Sequence, residues 1–223
     1  MINYNLIRSK RKTIALYIKD GELEVRAPLR VSKSQIEKFI VSKEHWISNK
    51  LAQSQERLDK RESFNLNYGD KILLLGQEYP IIAVGGNRFG FNGKMFYMPQ
   101  GMDSEEIKDA CIKLYRDLAR VNITQWVTMF SEIMGVTPTA IRITGAKTRW
   151  GSCSGRKSIN FSWFLIMADR EVVEYVIVHE LAHIKEMNHS KDFWAIVESV
   201  LPDYRERKAR LKELQKRLAT ESW

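Results

Sequence analysis

The sequence has few cysteines and no long apolar run, and both absences narrow the kind of protein it encodes. Its two cysteines, Cys111 and Cys153, form no C-x-x-C pair, which argues against a disulfide framework and against a cysteine zinc site. No apolar run approaches the roughly 20 residues of a membrane span, and the first residues lack the apolar segment of a signal peptide. We therefore expect a cytoplasmic chain with reduced thiols and no membrane partner.

Histidine is also scarce, yet its placement is the most informative feature of the chain. Of 4 histidines, three stand at His179, His183 and His189, and the first two form an H-E-x-x-H motif. Residues four apart on a helix differ by about 40° around the axis, so the two imidazoles of the motif face one point. Catalytic zinc sites have three protein ligands and leave the fourth position to water. The sequence thus predicts one Zn²⁺ per chain, with His189 as third ligand.

Glu180 follows the first predicted ligand directly and belongs to the same motif. A carboxylate at this position can act as general base on the zinc-bound water, whose pKa the metal lowers to about 7. The competing interpretation is a buried helix with hydrogen-bonded histidines and no metal. Asp169 is the expected N-cap of this helix, and Glu186 favours a helix that continues to Asn188.

The rest of the chain predicts an α+β fold in two regions without internal repeats. Residues 1–100 form a β-rich region that contains an Asp20-Gly21 hairpin and one helix at about 34–58. Residues 101–223 form the catalytic region, with a helix from Ser104 to Met134 that Gly135 ends. Strands are expected at 140–144, 148–153 and 158–163, and an amphipathic helix with a basic face is expected near the C-terminal end.

The predicted strand at 148–153 can reach the metal helix with one of its faces. Arg149 and Gly151 share a face, whereas Trp150 and Ser152 share the other. Because Gly151 and Ser152 are small, this strand is a candidate edge that binds an extended substrate by strand addition. Simple sheet packing is the alternative explanation of the same residues.

Several motifs together resemble the YgjP-like family of zinc metallopeptidases, which is related to the SprT-like group. The most specific are Thr148-Arg149-Trp150-Gly151-Ser152-Cys153, the H-E-x-x-H motif, Asn188-His189-Ser190 with Phe193-Trp194, and Pro202-Asp203-Tyr204. The resemblance implies a zincin-like catalytic domain in which a short sheet flanks the metal helix. It also suggests Tyr204, Arg205 and Arg149 as candidates for stabilising the transition state. The predicted substrate-binding residues are Arg149, Trp150, Ser152 and Arg205.

Three functions are compatible with these features. A metallopeptidase that acts on a peptide or protein explains the motif best. The net charge of +9 suits polyanionic partners, so a UTP pyrophosphatase and a SprT-like protease that associates with nucleic acid are the alternatives. A nucleic-acid-binding module with a purely structural metal is disfavoured, because Glu180 is present and a fourth coordination position is free. The sequence gives no indication of the oligomeric state.

Overall fold

The computed structural model describes residues 2–223 and shows an α+β chain, as predicted. The described residues divide into two compact units, one up to residue 64 together with 217–222 and the other 65–216 together with 223. The boundary predicted near residue 100 falls inside the second unit. Within residues 2–223, no helix is both long enough and apolar enough to cross a bilayer.

The first unit has a three-stranded sheet covered by helices. Strands β1 (Asn5–Ser9), β2 (Ala15–Lys19) and β3 (Glu22–Pro28) lie in the order β1-β3-β2. The Asp20-Gly21 hairpin is confirmed, since β2 and β3 pair antiparallel and both turn residues have positive φ. Alternate β3 side chains meet isoleucines of the helices in a core of Leu23, Val25, Ala27, Ile36, Ile40 and Ile47.

The helix expected at about 34–58 is in fact two helices, α1 (Lys33–Ser42) and α2 (Glu44–Glu62). Lys43 separates them, because its φ of −117° and ψ of 11° leave the helical region. Its amide donates to the carbonyls of Ile40 and Val41, which closes α1. Ser32 caps the start of α1, and Gln35 completes a capping box with it.

The second unit begins with a four-stranded sheet that packs on the catalytic elements. Its strands are β4 (Lys71–Leu74), β5 (Gln77–Val84), β6 (Gly90–Phe91) and β7 (Phe96–Pro99), in the order β4-β5-β7-β6. The β4–β5 turn is hydrogen-bonded to a later segment of the same unit, because the amides of Leu75 and Gly76 donate to the carbonyls of Ile166 and Met167. These long-range bonds explain why residues 65–100 belong with the second unit.

A 31-residue helix, α3 (Ser104–Met134), follows with the predicted bounds. Asp103 caps its start, and Gly135 ends it in a left-handed conformation. Strands β8 (Ala140–Thr144), β9 (Gly151–Cys153) and β10 (Ser158–Ser162) form a second sheet in the order β8-β10-β9. Strand β9 is three residues long, shorter than the predicted 148–153.

The remaining elements carry the motif residues. A 3₁₀-helix at Trp163–Met167 leads into α4 (Arg170–Ala182), which is followed by α5 (Lys191–Val200) and α6 (Tyr204–Leu218). Asp169 is the N-cap of α4, as predicted, and its side chain accepts from the amide of Val172. Most side chains of α4 are buried, so the motif helix is the central element of this unit.

Candidate metal centre

The three predicted imidazoles converge at one point. His179 lies in the last turn of α4, His183 caps that helix, and His189 returns from the loop before α5. One ligand nitrogen from each lies within 4.8 Å of the others, and the Nε2 atoms of His179 and His189 are 3.0 Å apart. Nitrogens bound tetrahedrally to one zinc at about 2.0 to 2.1 Å would be roughly 3.4 Å apart. The donor set and its spacing therefore fit a zinc ion.

The loop that returns His189 differs from the prediction. A helix to Asn188 was expected, but α4 ends at Ala182 and the chain turns at once. The amides of Ile184, Lys185 and Glu186 donate to carbonyls of the last helical turn. Ser190 then caps α5 by accepting from the amide of Phe193. A continued helix would carry His189 away from His183, whereas this tight turn brings the third imidazole back.

Aromatic and backbone contacts orient the imidazoles. The fully buried ring of Phe193 lies 4.5 to 4.9 Å from all three imidazole centroids. Nδ1 of His183 is 3.1 Å from the carbonyl oxygen of Glu186. If Nδ1 donates to that oxygen, the other ring nitrogen is free to bind a metal. The ring of Trp194 stacks on His189 at a centroid distance of 5.7 Å.

The surroundings of His179 and His189 favour the neutral imidazole, which is the form that binds metal. Burial lowers the pKa of His179 to about 3, and the neighbouring charges of His183, His189 and Lys208 act in the same direction. The pKa of His189 is lowered by the same kind of effects. An imidazole that resists protonation presents a lone pair to a cation at neutral pH and well below it.

Glu180, which directly follows His179 on α4, is buried, with 5% of its surface exposed. Burial raises the pKa of its carboxyl to about 7, and the positive charge of Arg149 partly opposes this rise. The carboxylate packs tightly on strand β9, since a Cβ added at Gly151 would lie 2.6 Å from both Cγ and Oε1 of Glu180. The absence of a side chain at Gly151 is therefore what allows β9 and α4 to approach here.

The other predicted residues have different surroundings. Arg149 is exposed and close enough to Glu180 to influence its pKa. Trp150 is half-buried, and its carbonyl accepts from the amide of Ser162 at 2.8 Å. The Ser152 hydroxyl accepts from Nδ2 of Asn160 at 3.2 Å. Of these three, Arg149 is the one whose charge acts on the Glu180 carboxylate.

Tyr204 and Arg205 lie at the start of α6. Tyr204 is buried and stacks on Trp194 at 5.2 Å. Arg205 lies over the Tyr204 ring and forms an ion pair with Glu198 at 3.1 Å. This ion pair engages Arg205 at the surface, whereas Tyr204 supports the aromatic ring that stacks on His189.

Sequence reasoning missed Lys208. Its ammonium lies 4.9 Å from the centroid of Trp194, and its charge helps lower the pKa of His179 and of His189. Lys208 follows Tyr204 by one helical turn, so both side chains lie on the face of α6 that meets Trp194. The four-residue spacing of Tyr204 and Lys208 was the signal available in the sequence. It did not distinguish Lys208 from the many other basic residues of α6.

Comparison with known proteins gives a family match over most of the chain. The model of the YgjP-like metallopeptidase domain matches residues 12–214. Among solved structures, the metallopeptidase zymogen abylysin of Pyrococcus abyssi is 25% identical, with 45% of this chain and 99% of that chain covered and a TM-score of 0.39. The zymogen jannalysin of Methanocaldococcus jannaschii is 26% identical, with 42% and 95% covered and a TM-score of 0.37. No curated protein matches the chain.

Proposed function

The chain belongs to the YgjP-like metallopeptidase family, and from this premise we propose that it is a zinc-dependent peptidase with Glu180 as its general base. The observation that carries the proposal is the convergence of His179, His183 and His189, together with the buried carboxylate of Glu180, the residue after His179 on α4. The three imidazoles would hold the ion. When bound, zinc would acidify a water molecule and polarise the carbonyl of the scissile bond.

Glu180 would perform the proton transfers. Its carboxylate would accept a proton from the water that attacks the peptide carbonyl and would then deliver it to the leaving nitrogen. The close packing of Glu180 against Gly151 fixes where that carboxylate can lie. Burial also limits competing water around it, so the proton acceptor is held in one place before the substrate arrives.

The sheet beside the site supports a peptide as substrate. Within residues 2–223, β9 pairs with β10 on one side only, so its other edge has unpaired amides and carbonyls. An extended peptide can add to such an edge through main-chain hydrogen bonds. The same strand contacts Glu180, so a peptide paired there would pass near the proton acceptor.

Ion pairs around α6 weaken the case for a polyanionic substrate. Much of its basic face is engaged by carboxylates, through the pairs Arg205–Glu198, Arg207–Glu174, Arg207–Asp203, Arg210–Asp169, Arg210–Glu171 and Lys216–Glu213. Residues 2–223 contain no second group of three histidine, cysteine or carboxylate ligands that could bind a further ion. The net charge of +9 nevertheless leaves UTP hydrolysis and nucleic-acid association as alternatives to test.

Metal dependence provides the test. The chain is stripped of metal, zinc is returned in steps, and cleavage of an unfolded protein is followed by mass spectrometry. Cleavage should rise to a plateau at one zinc per chain. Glu180→Gln should bind zinc equally well and lose cleavage. Equal cleavage by Glu180→Gln, or by the metal-free chain, would contradict the proposal. A separate DNA-binding titration at two salt concentrations tests nucleic-acid association, which predicts a steep loss of affinity with salt.

A further inference from the structure

A polar cavity lies on the β8-β10-β9 sheet, next to the edge strand β9. Its volume is about 180 Å³, and its lining includes Thr144, Arg149, Gly151, Ser152, Asn160 and Ser162. The strand register explains four of these residues, since Ser152 pairs with Asn160 and Thr144 pairs with Ser162. Asn160 and Ser162 are two residues apart on β10 and so share one face. Phe161, between them, faces the buried side.

The hydrogen bonds of the cavity wall leave donors for a ligand. Ser162 uses its hydroxyl proton on the carbonyl of Ala146 at 2.7 Å, and Thr144 donates to the carbonyl of Phe161 at 3.3 Å. The hydroxyl of Ser152 accepts from Asn160, so its own proton remains available. The hydroxyl protons of Ser162 and Thr144 are thus engaged, whereas that of Ser152 is not used in these bonds.

Arg149 adds a positive charge to this space. Within residues 2–223, its guanidinium forms no ion pair, although arginines elsewhere in the same unit pair with carboxylates. Its guanidinium offers five N–H donors in a planar fork that matches a carboxylate. The cavity also adjoins the catalytic carboxylate, because Gly151 lines it and contacts Glu180.

We propose that this cavity is a subsite for a carboxylate of the peptide substrate, bound by the Arg149 guanidinium with help from the Ser152 hydroxyl. The inference deepens the proposed peptidase function and rests on it. An extended peptide that pairs with β9 directs alternate side chains to the two faces of the sheet. One of those faces carries the cavity. The carboxylate belongs either to an aspartate or glutamate side chain or to the C-terminus of the peptide.

Labelled peptides that differ in one group distinguish these sources. One has a central Glu, one has Gln there, and both have amidated C-termini; a third has Gln and a free C-terminus. Dissociation constants are measured by fluorescence anisotropy with the metal-free chain, and kcat/KM is measured with zinc present. Carboxylate recognition by Arg149 should favour the Glu peptide, or the free C-terminus, by about fivefold to tenfold over neutral Gln.

Two variants assign that preference to the cavity. Arg149→Gln should bring the ratio between acidic and neutral peptides close to one, and Arg149→Glu should make a Lys peptide bind better than the Glu peptide. Arg156→Gln is the matched control, because Arg156 is exposed in the turn between β9 and β10 and does not line the cavity. It should retain the preference of the wild type.

The outcomes separate this inference from the proposed function. A binding preference that Arg149→Gln removes supports the subsite even if no peptide is cleaved, in which case only the peptidase proposal fails. Cleavage without any difference between acidic and neutral peptides overturns the subsite and leaves the peptidase proposal standing. Two further results overturn the subsite. One is that UTP binds to the chain and no peptide competes with it. The other is a preference for the acidic peptide that survives Arg149→Gln.

Discussion

Replacing Gly151 by alanine tests the geometry of the site at its tightest contact. The new Cβ would lie 2.6 Å from Cγ and Oε1 of Glu180 and 2.8 Å from its Cδ, whereas ordinary contacts begin at 3.4 Å. The carboxylate must therefore retreat by about 0.8 Å, or β9 must move away from α4 by as much. A displacement near 1 Å at a reacting group can cost about 100-fold in rate. We expect Gly151→Ala to lower kcat/KM for peptide cleavage by roughly that factor.

The assay compares steady-state cleavage by the zinc-loaded variants and pairs it with zinc titration and thermal unfolding. Gly155→Ala is the matched control, since a Cβ there meets nothing within 4 Å, and it should cleave like wild type. Zinc affinity should be unchanged in both variants, because the substitution moves Glu180 and no imidazole. Wild-type kcat/KM in a folded Gly151→Ala protein would refute the reasoning.

Three further perturbations have defined outcomes. His189→Ala should weaken zinc binding by at least about tenfold in a competition titration, because one of three ligands is lost. Unchanged zinc affinity would contradict the assignment of His189 as a ligand. The side-chain hydrogen bond from Arg207 lowers the pKa of Asp203, so its stabilising effect is present above the unfolded pKa of aspartate and is lost as pH falls through the lower folded value. Asp203→Asn should therefore narrow the difference in unfolding free energy between neutral and acid pH. An identical pH profile of the unfolding free energy in the variant would contradict this prediction. Burial raises the pKa of Cys111 to about 12, so peptide mapping after iodoacetamide treatment of the native chain should show Cys153 alkylated before Cys111, and equal rates would contradict that burial.

Local signals in the sequence predicted much of the fold. The cap at Asp169 and the stop at Gly135 are both observed as predicted. These features depend on residues within one helical turn, so they can be read without knowing the tertiary structure. The H-E-x-x-H spacing likewise fixed the relation of two imidazoles, since both lie at the end of a single helix.

Features set by long-range packing were less accessible. The break at Lys43 and the early end of α4 interrupt patterns that would allow a continuous helix. The contact between Gly151 and Glu180 joins residues that are far apart in sequence. In the sequence, Lys208 is one of many basic residues of α6, and only the folded structure shows its contact with Trp194. Its position depends on how α5 and α6 pack, which periodicity alone does not specify.

The central claim is that this site hydrolyses peptide bonds, and one mixture tests it directly. An unfolded protein and UTP are incubated together with the zinc-loaded chain and, separately, with Glu180→Ala, and the products are identified by mass spectrometry. The proposed function predicts new peptides with the wild type alone and intact UTP in both samples. UMP and pyrophosphate without any new peptides would contradict it and would assign the site to nucleotide chemistry.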